Sequence, residues 1–144
     1  MIHKDTISLL KECNAGVKMG VTSIDEVLDK IKSEKLKKIL TDNKKKHQDL
    51  GSRLHEMLNE FDEAGKEPNI MAKGMSWLKT NIMMNLDDSD ATVADLMTDG
   101  CNMGVKSLNR YLNQYQAADE ASKNIAKELI DLEHSLTIDL RSFL

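Results

Sequence analysis

His47 is the residue of this chain whose type and surroundings are best suited to chemistry. It belongs to a segment in which apolar residues recur every three or four positions, and Asn43 precedes it by one helical turn. A buried imidazole needs a partner at each ring nitrogen, which either a polar layer of the core or a bound metal or small ligand supplies. The core histidine is the favoured interpretation, because no neighbouring residues form the nucleophile, base and orienting group of a catalytic site.

Other polar residues are predicted to lie close to the height of His47. Counting back from the turn near Ser33 places Gly20 and Ser23 beside it on the preceding helix. Similar counting in the second half of the chain brings Ser107 and Glu133 to about the same height. The predicted polar core layer therefore consists of Ser23, Asn43, His47, Ser107 and Glu133.

Long amphipathic helices are predicted to position this layer. Apolar residues alternate spacings of three and four along the chain, which is typical of helices packed at shallow crossing angles. In the first helix the predicted seam comprises Ile7, Leu10, Asn14, Val17, Val21, Ile24, Leu28 and Ile31. The predicted N-caps of the later helices are Ser33, Ser89 or Asp90, and Asp119, and the segment AGKEPN is predicted to end the second helix.

The links within each pair of long helices are only a few residues, so each pair must form an antiparallel hairpin. The predicted hairpins span residues 5–64 and 89–143, and a shorter crossover helix at about 70–86 joins them. We therefore predict an all-α fold in one domain over residues 1–144. It is a four-helix bundle of two pseudo-twofold-related helical hairpins with an extra short crossover helix.

A repeated phrase supports two related hairpins. GVKMGVTSIDEVL begins at Gly16, and GCNMGVKSLNRYL begins at Gly100. Glycine inside a helix costs about 1 kcal/mol relative to alanine, so the pairs Gly16/Gly20 and Gly100/Gly104 are expected to serve close packing. We predict an internal duplication in which the first and third helices meet glycine stripe to glycine stripe.

Two hairpins joined by one long crossover resemble the ferritin-like four-helix-bundle superfamily over nearly the whole chain. The phrase MGVxS(I/L) and the segment MAKGMSWLK are more closely similar to small, uncharacterised bacterial bundle proteins that lack the di-metal ligands. The resemblance implies a fold and a bacterial origin, and it carries no known function with it.

The di-metal ligands of ferritin-like proteins are not present as a motif. Such a site uses a Glu on the first helix of each hairpin and Glu-x-x-His on the second, whereas this chain contains no Glu-x-x-His. Lys44 stands three residues before His47, and the pair Asp131 and His134 is predicted to point away from the seam. No metal and no other cofactor is therefore expected.

Composition excludes several classes of partner. The lysine-rich stretch at 30–46 contains no arginine and no aromatic residue, which favours a solvated face over a nucleic-acid surface. No apolar run approaches the roughly 20 residues of a membrane span. The first residues do not resemble a signal peptide, so Cys13 and Cys101 are expected to be reduced in a cytoplasmic protein.

Two functional hypotheses follow from the sequence. The first is a non-enzymatic bundle that acts through protein–protein contact or self-association, using the Met-rich segment as an adaptable surface. Its residues are Met71, Met75, Trp77, Met83 and Met84, although a crossover helix covering a bundle seam needs the same residues. The alternative is a metal- or redox-active ferritin-like protein with an unusual ligand set near His47 and Glu133.

Overall fold

The computed structural model describes residues 2–61 and 89–144 of the chain. These residues form four α-helices, α1 (Ile2–Leu28), α2 (Glu34–Asn59), α3 (Asp90–Gln114) and α4 (Glu120–Leu140), followed by a 3-10 turn at Arg141–Phe143. The described ranges contain no strand, and the predicted all-α four-helix bundle is confirmed. The predicted crossover helix at 70–86 and its methionines lie outside the described residues.

Side-chain capping sets the starts of three helices. The Ser33 hydroxyl accepts from the Leu36 N–H at 3.2 Å, and the Ser89 hydroxyl accepts from the Thr92 N–H at the same distance. The Asp119 carboxylate caps α4 in the same way. The predicted caps are thus confirmed, with Ser89 rather than Asp90 at the start of α3. The end of α2 at Asn59 comes before the AGKEPN segment that was expected to stop it.

The turn of the first hairpin is bonded to the start of the second. One carboxylate, Asp90 at the first turn of α3, accepts from the backbone N–H groups of Lys32 and Ser33 at 2.9 Å each. These two donors precede α2 and have no partner within a helix. The contact therefore joins the α1–α2 turn to the N-terminal end of α3.

The opposite end of the bundle has the matching arrangement. The Asp5 carboxylate accepts from the Ala117 N–H at 3.0 Å, and the Thr6 hydroxyl accepts from the Asp119 N–H at 2.9 Å. The start of α1 thus lies on the α3–α4 turn, as the start of α3 lies on the α1–α2 turn. It follows that α1 and α3 run antiparallel to each other.

The apolar interior forms two clusters, each of which contains residues from all four helices. The cluster that we call the Leu40 core comprises Ile24, Val27, Ile31, Leu36, Leu40, Val93, Ala94, Leu96, Met97, Cys101, Leu136 and Leu140. The Leu54 core comprises Leu9, Leu10, Cys13, Val17, Leu50, Leu54, Leu58, Leu108, Ala118, Ile125, Ala126 and Leu129. Between the two lies a layer of polar residues.

The buried face of α1 is rotated from the predicted seam. Asn14 and Val21 were placed on the seam, yet both are half-buried, whereas Cys13 and Val27 are fully buried. The physical reason is Gly20, which shares a face of the helix with these two residues and lies against a side chain of the interior. None of the helices in the described ranges combines the length and apolar character that crossing a membrane requires.

Candidate functional site

The polar layer centres on a buried histidine and a buried carboxylate. His47 is only 2% exposed and Glu133 only 7%. Each lies fourteen residues after the N-cap of its helix, His47 after Ser33 and Glu133 after Asp119. The two turns lie at opposite ends of the bundle, and fourteen residues is about half the length of the 26-residue α2, so both side chains lie near the middle, where His47 Nε2 lies 3.9 Å from Glu133 Oε1.

The tautomer of His47 follows from its neighbour one turn earlier. Nδ1 lies 3.1 Å from the backbone carbonyl oxygen of Asn43, and because a carbonyl oxygen only accepts, Nδ1 carries the hydrogen. Nε2 is buried and has no hydrogen-bond partner. The Asn43 amide donates to the Leu132 carbonyl oxygen across the bundle at 3.5 Å, which is long for a hydrogen bond.

Burial also governs the protonation of Glu133. Loss of solvent raises the pKa of this carboxyl above its ordinary value, and the neighbouring His47 opposes the shift only in part. Oε2 is buried without a partner. The layer therefore contains two titratable side chains, each with one buried polar atom to which no described residue is hydrogen-bonded.

Glycines give these two side chains the space that they occupy. A Cβ atom at Gly20 would lie 2.8 Å from the Cδ2 and Nε2 atoms of His47. A Cβ atom at Gly104 would overlap Glu133 Oε2 and lie 2.9 Å from its Cδ. Any larger residue at either position would displace the side chain that faces it.

The expected contact between glycine stripes is not what the structure has. A Cβ atom at Gly16 would touch only Leu129 of α4, at 3.5 Å, and one at Gly100 would meet no described atom within 4 Å. The prediction that α1 and α3 meet glycine to glycine is therefore wrong. The glycines make room for side chains of α2 and α4 rather than for the opposite backbone, and α1 and α3 contact each other less than each contacts its hairpin partner.

Among the described residues, a partly open cavity of about 300 Å³ lies between α1 and α3, with the polar layer in its wall. Ser23 and Ser107, both predicted members of the layer, line this cavity together with His47 and Glu133, whereas Asn43 is not among its lining residues. The other lining residues are Glu12, Ala15, Gly16, Met19, Gly20, Ile24, Leu96, Met97, Gly100, Cys101, Met103, Gly104, Leu108, Tyr111 and Leu136. Most of these side chains are apolar or small.

The two cysteines are free and buried, which matches the expectation that they are reduced. Burial raises the pKa of the Cys13 thiol to about 12, with a smaller contribution from the charges of Glu12 and Glu133. Burial likewise raises the pKa of Cys101, and Glu133 adds to the shift. Since the thiolate is the nucleophilic form, neither cysteine is suited to nucleophilic chemistry at neutral pH.

The residues present do not fit a ferritin-like di-metal centre. Ser23 and Ser107 stand in the cavity wall at mid-helix, where such a centre needs carboxylates. Lys44 forms an ion pair with Asp25, and Asp131 is exposed. Within residues 2–61 and 89–144 no group of three or more His, Cys, Asp or Glu side chains is arranged to hold a metal ion.

Sequence reasoning missed both the cavity and some of the buried polar side chains. Thr6, Ser122 and Thr137 are buried, and Thr6 holds the α3–α4 turn as described above. The four mid-helix glycines were an indirect sign of the cavity in the sequence. If they do not pack against another backbone, they must face either a side chain or an open space. Comparison with protein-family models, with curated proteins and with solved structures gave no match.

Proposed function

We propose that this chain is a non-enzymatic, ferritin-like helical bundle that binds a small, largely apolar molecule in the cavity between α1 and α3. The observation that carries the proposal is the cavity itself, whose wall contains two buried polar atoms without partners. Protein interiors are close-packed, with few voids larger than a water molecule. A volume of about 300 Å³ is instead at the lower end of the range typical of ligand sites.

A binding role agrees better with the site than an enzymatic one. His47 has no nucleophile within its described contacts, because its ring approaches a backbone carbonyl, a glycine and a carboxylate. The cavity-lining Cys101 is held in the thiol form by burial, which raises its pKa. The site thus provides an apolar cavity and hydrogen-bond acceptors rather than a reactive group.

Filling the cavity from Gly100 tests the proposal. The side chain of a Gly100→Leu variant would start in open space and extend into the cavity, whereas Gly100→Ala would leave most of the volume free. We expect phenylpropanol to bind the wild type and Gly100→Ala in isothermal titration calorimetry, and Gly100→Leu to lose about tenfold or more in affinity.

Both variants should also be more stable than the wild type, since each removes a helical glycine. Thermal denaturation verifies this and shows that any lost binding is not lost folding. Absence of saturable binding to the wild type, or unchanged binding to a folded Gly100→Leu, would contradict the proposed function.

The equivalence of the two hairpins supports an origin by duplication. Gly20 and Gly104 occupy the same place in the repeated phrase, and each faces the side chain fourteen residues after an N-cap, His47 or Glu133. Membership of the ferritin-like superfamily and a bacterial source are proposed from the sequence resemblance. A cytoplasmic location is proposed because the cysteines are free.

Two predictions from the sequence stay predictions. Protein–protein or self-association was assigned to the Met-rich segment, which lies outside the described residues. A metal- or redox-active site near His47 and Glu133 would have two protein ligands, whereas a catalytic zinc usually takes three. Elemental analysis of protein purified without a histidine tag distinguishes that alternative from the binding role.

A further inference from the structure

Two buried polar atoms in the cavity wall indicate what kind of group the cavity receives. His47 Nε2 and Glu133 Oε2 are both shielded from solvent and have no hydrogen-bond partner in the described structure. Buried polar groups are hydrogen-bonded in the great majority of native structures. Both residues line the cavity, but these two atoms lie against Gly20 and Gly104, so a side-chain rotation is needed to turn either atom toward a bound molecule.

Both atoms act as acceptors when Glu133 is ionised. The Nδ1 hydrogen of His47 is committed to the Asn43 carbonyl, so the neutral ring presents a lone pair at Nε2. An ionised carboxylate at Glu133 has only acceptors to offer. The 3.9 Å between Nε2 and Oε1 is too long for a direct hydrogen bond, and a single donor group beside both atoms, off the line that joins them, would bond to both.

The charge of the cavity wall favours a cation. Its described lining residues include two carboxylates, Glu12 and Glu133, and no lysine or arginine. Glu12 is engaged by the Tyr111 hydroxyl, whereas the effect of burial on Glu133 is offset only in part by His47. Burying a carboxylate without a partner is costly, and a bound cation offsets that cost.

We propose that the cavity binds a primary amine whose ammonium group sits between Glu133 and His47 and whose apolar body lies among the surrounding aliphatic side chains. An ammonium group carries three donors, no acceptor and the charge that the carboxylate requires. This inference rests on the proposed function and names its ligand class.

The size of the cavity limits the apolar body. An apolar cavity of about 150 Å³ in another protein is enough to bind benzene. A cavity of about 300 Å³ has room for a phenyl ring with a short chain that ends in the amine. Leu96, Met97 and Leu108 are among the side chains that would contact the ring.

Three compounds with a phenyl ring on a short chain separate the head-group chemistry from the apolar contact. Phenylpropylamine, phenylpropanol and phenylpropanoate are titrated into the full-length protein at neutral pH and followed by calorimetry. We expect the amine to bind at least about tenfold more tightly than the alcohol, because hydrogen bonds to charged groups contribute more than neutral ones. The carboxylate should bind most weakly.

Glu133→Gln keeps the shape of the side chain and removes its charge. We expect this variant to lose about tenfold or more in affinity for the amine, while its affinity for the alcohol changes by less than about threefold. Glu128→Gln is the matched control, since it makes the same change on an exposed part of α4, where Glu128 pairs with Arg53. Its amine affinity should equal that of the wild type.

Each outcome has a distinct meaning. Equal binding of amine and alcohol, or unchanged amine binding by Glu133→Gln, overturns the head-group assignment and leaves the apolar cavity in place. Tightest binding of the carboxylate reverses the assigned polarity and overturns the amine. Failure of all three compounds to bind the wild type overturns both this inference and the proposed function.

Discussion

At the residue scale, the most consequential feature is an acidic side chain in the middle of the bundle. Glu133 is buried between two apolar clusters, and its nearest titratable neighbour is His47 on α2. On the other two helices the charge of Glu133 also acts on the thiols of Cys13 and Cys101. A group of this kind makes the free energy of unfolding depend on pH.

The sign of that dependence follows from the raised pKa of Glu133. The folded state favours the protonated acid, so its contribution to stability is complete below the ordinary value of 4.5 and is lost as the pH rises through the raised value. Glu133→Gln has no carboxyl group to titrate at this position and therefore does not lose this stability as the pH rises. In thermal denaturation we expect the variant to be more stable than the wild type by about 1–3 kcal/mol near neutral pH, with a smaller difference below about pH 4.5.

Glu128→Gln again provides the comparison. Its carboxylate accepts from Arg53 at 2.9 and 2.7 Å, and this hydrogen bonding lowers the pKa of Glu128. The pair is exposed, so its loss should cost little, and its contribution is complete above the ordinary carboxyl pKa and lost as the pH falls through the lowered value. An equal stabilisation by both variants would show that net charge, not burial, produces the effect.

At the element scale, side chains at the ends of the bundle accept hydrogen bonds from backbone N–H groups of the turns. Asp90 belongs to α3, yet it accepts hydrogen bonds from two backbone N–H groups in the turn before α2. Asp5 and Thr6 do the same for the turn before α4. These contacts align each hairpin turn with the other hairpin, and so contribute to the common height of His47 and Glu133.

Asp90→Ala should therefore cost more than an ordinary surface substitution. Removing the carboxylate leaves the N–H groups of Lys32 and Ser33 without this acceptor, and we expect a loss of about 1–2 kcal/mol in chemical denaturation. Asp95→Ala, at an exposed position of the same helix, should stay within about 0.5 kcal/mol of the wild type. Equal losses of stability in the two variants would show that the effect comes from the charge of α3 and not from the hydrogen bonds to the α1–α2 turn.

At the scale of the whole molecule, the polar layer divides the apolar interior into the Leu40 core and the Leu54 core. Both cores draw side chains from all four helices, so loss of packing in one core would disturb helices that also form the other. The two ends of the bundle are therefore coupled through the helices themselves.

Leu40→Ala and Leu54→Ala test this coupling. Both side chains are fully buried, and each substitution should cost about 2–5 kcal/mol. We expect one cooperative transition in each variant, recorded by circular dichroism and by calorimetry. Ile138→Ala, at a position that is 45% exposed, should change stability far less. Two separate transitions in either leucine variant would show that the ends unfold independently.

Local signals in the sequence were sufficient for the helices and their starts. Ser33, Ser89 and Asp119 cap helices because a side-chain oxygen of each accepts a hydrogen bond from a backbone N–H three residues later. This interaction depends only on residues that are close together in the sequence. Counting from those caps also places His47 and Glu133 about 21 Å from opposite ends of the bundle, which is near its middle because helices of about 25 residues are about 40 Å long. Thus the element order and the axial position of the candidate site were determined by the sequence alone.

The rotation of α1 and the space between helices were decided only by tertiary structure. A helical glycine can lie against another backbone, against a bulky side chain or beside an open space. From the sequence, Gly20, Gly104 and Gly100 were all predicted to lie against another backbone. In the structure Gly20 faces an imidazole, Gly104 faces a carboxylate and Gly100 meets no described atom within 4 Å. The spacing of apolar residues predicts which residues share a face of a helix. What packs against that face depends on how the side chains of all four helices fill the interior together.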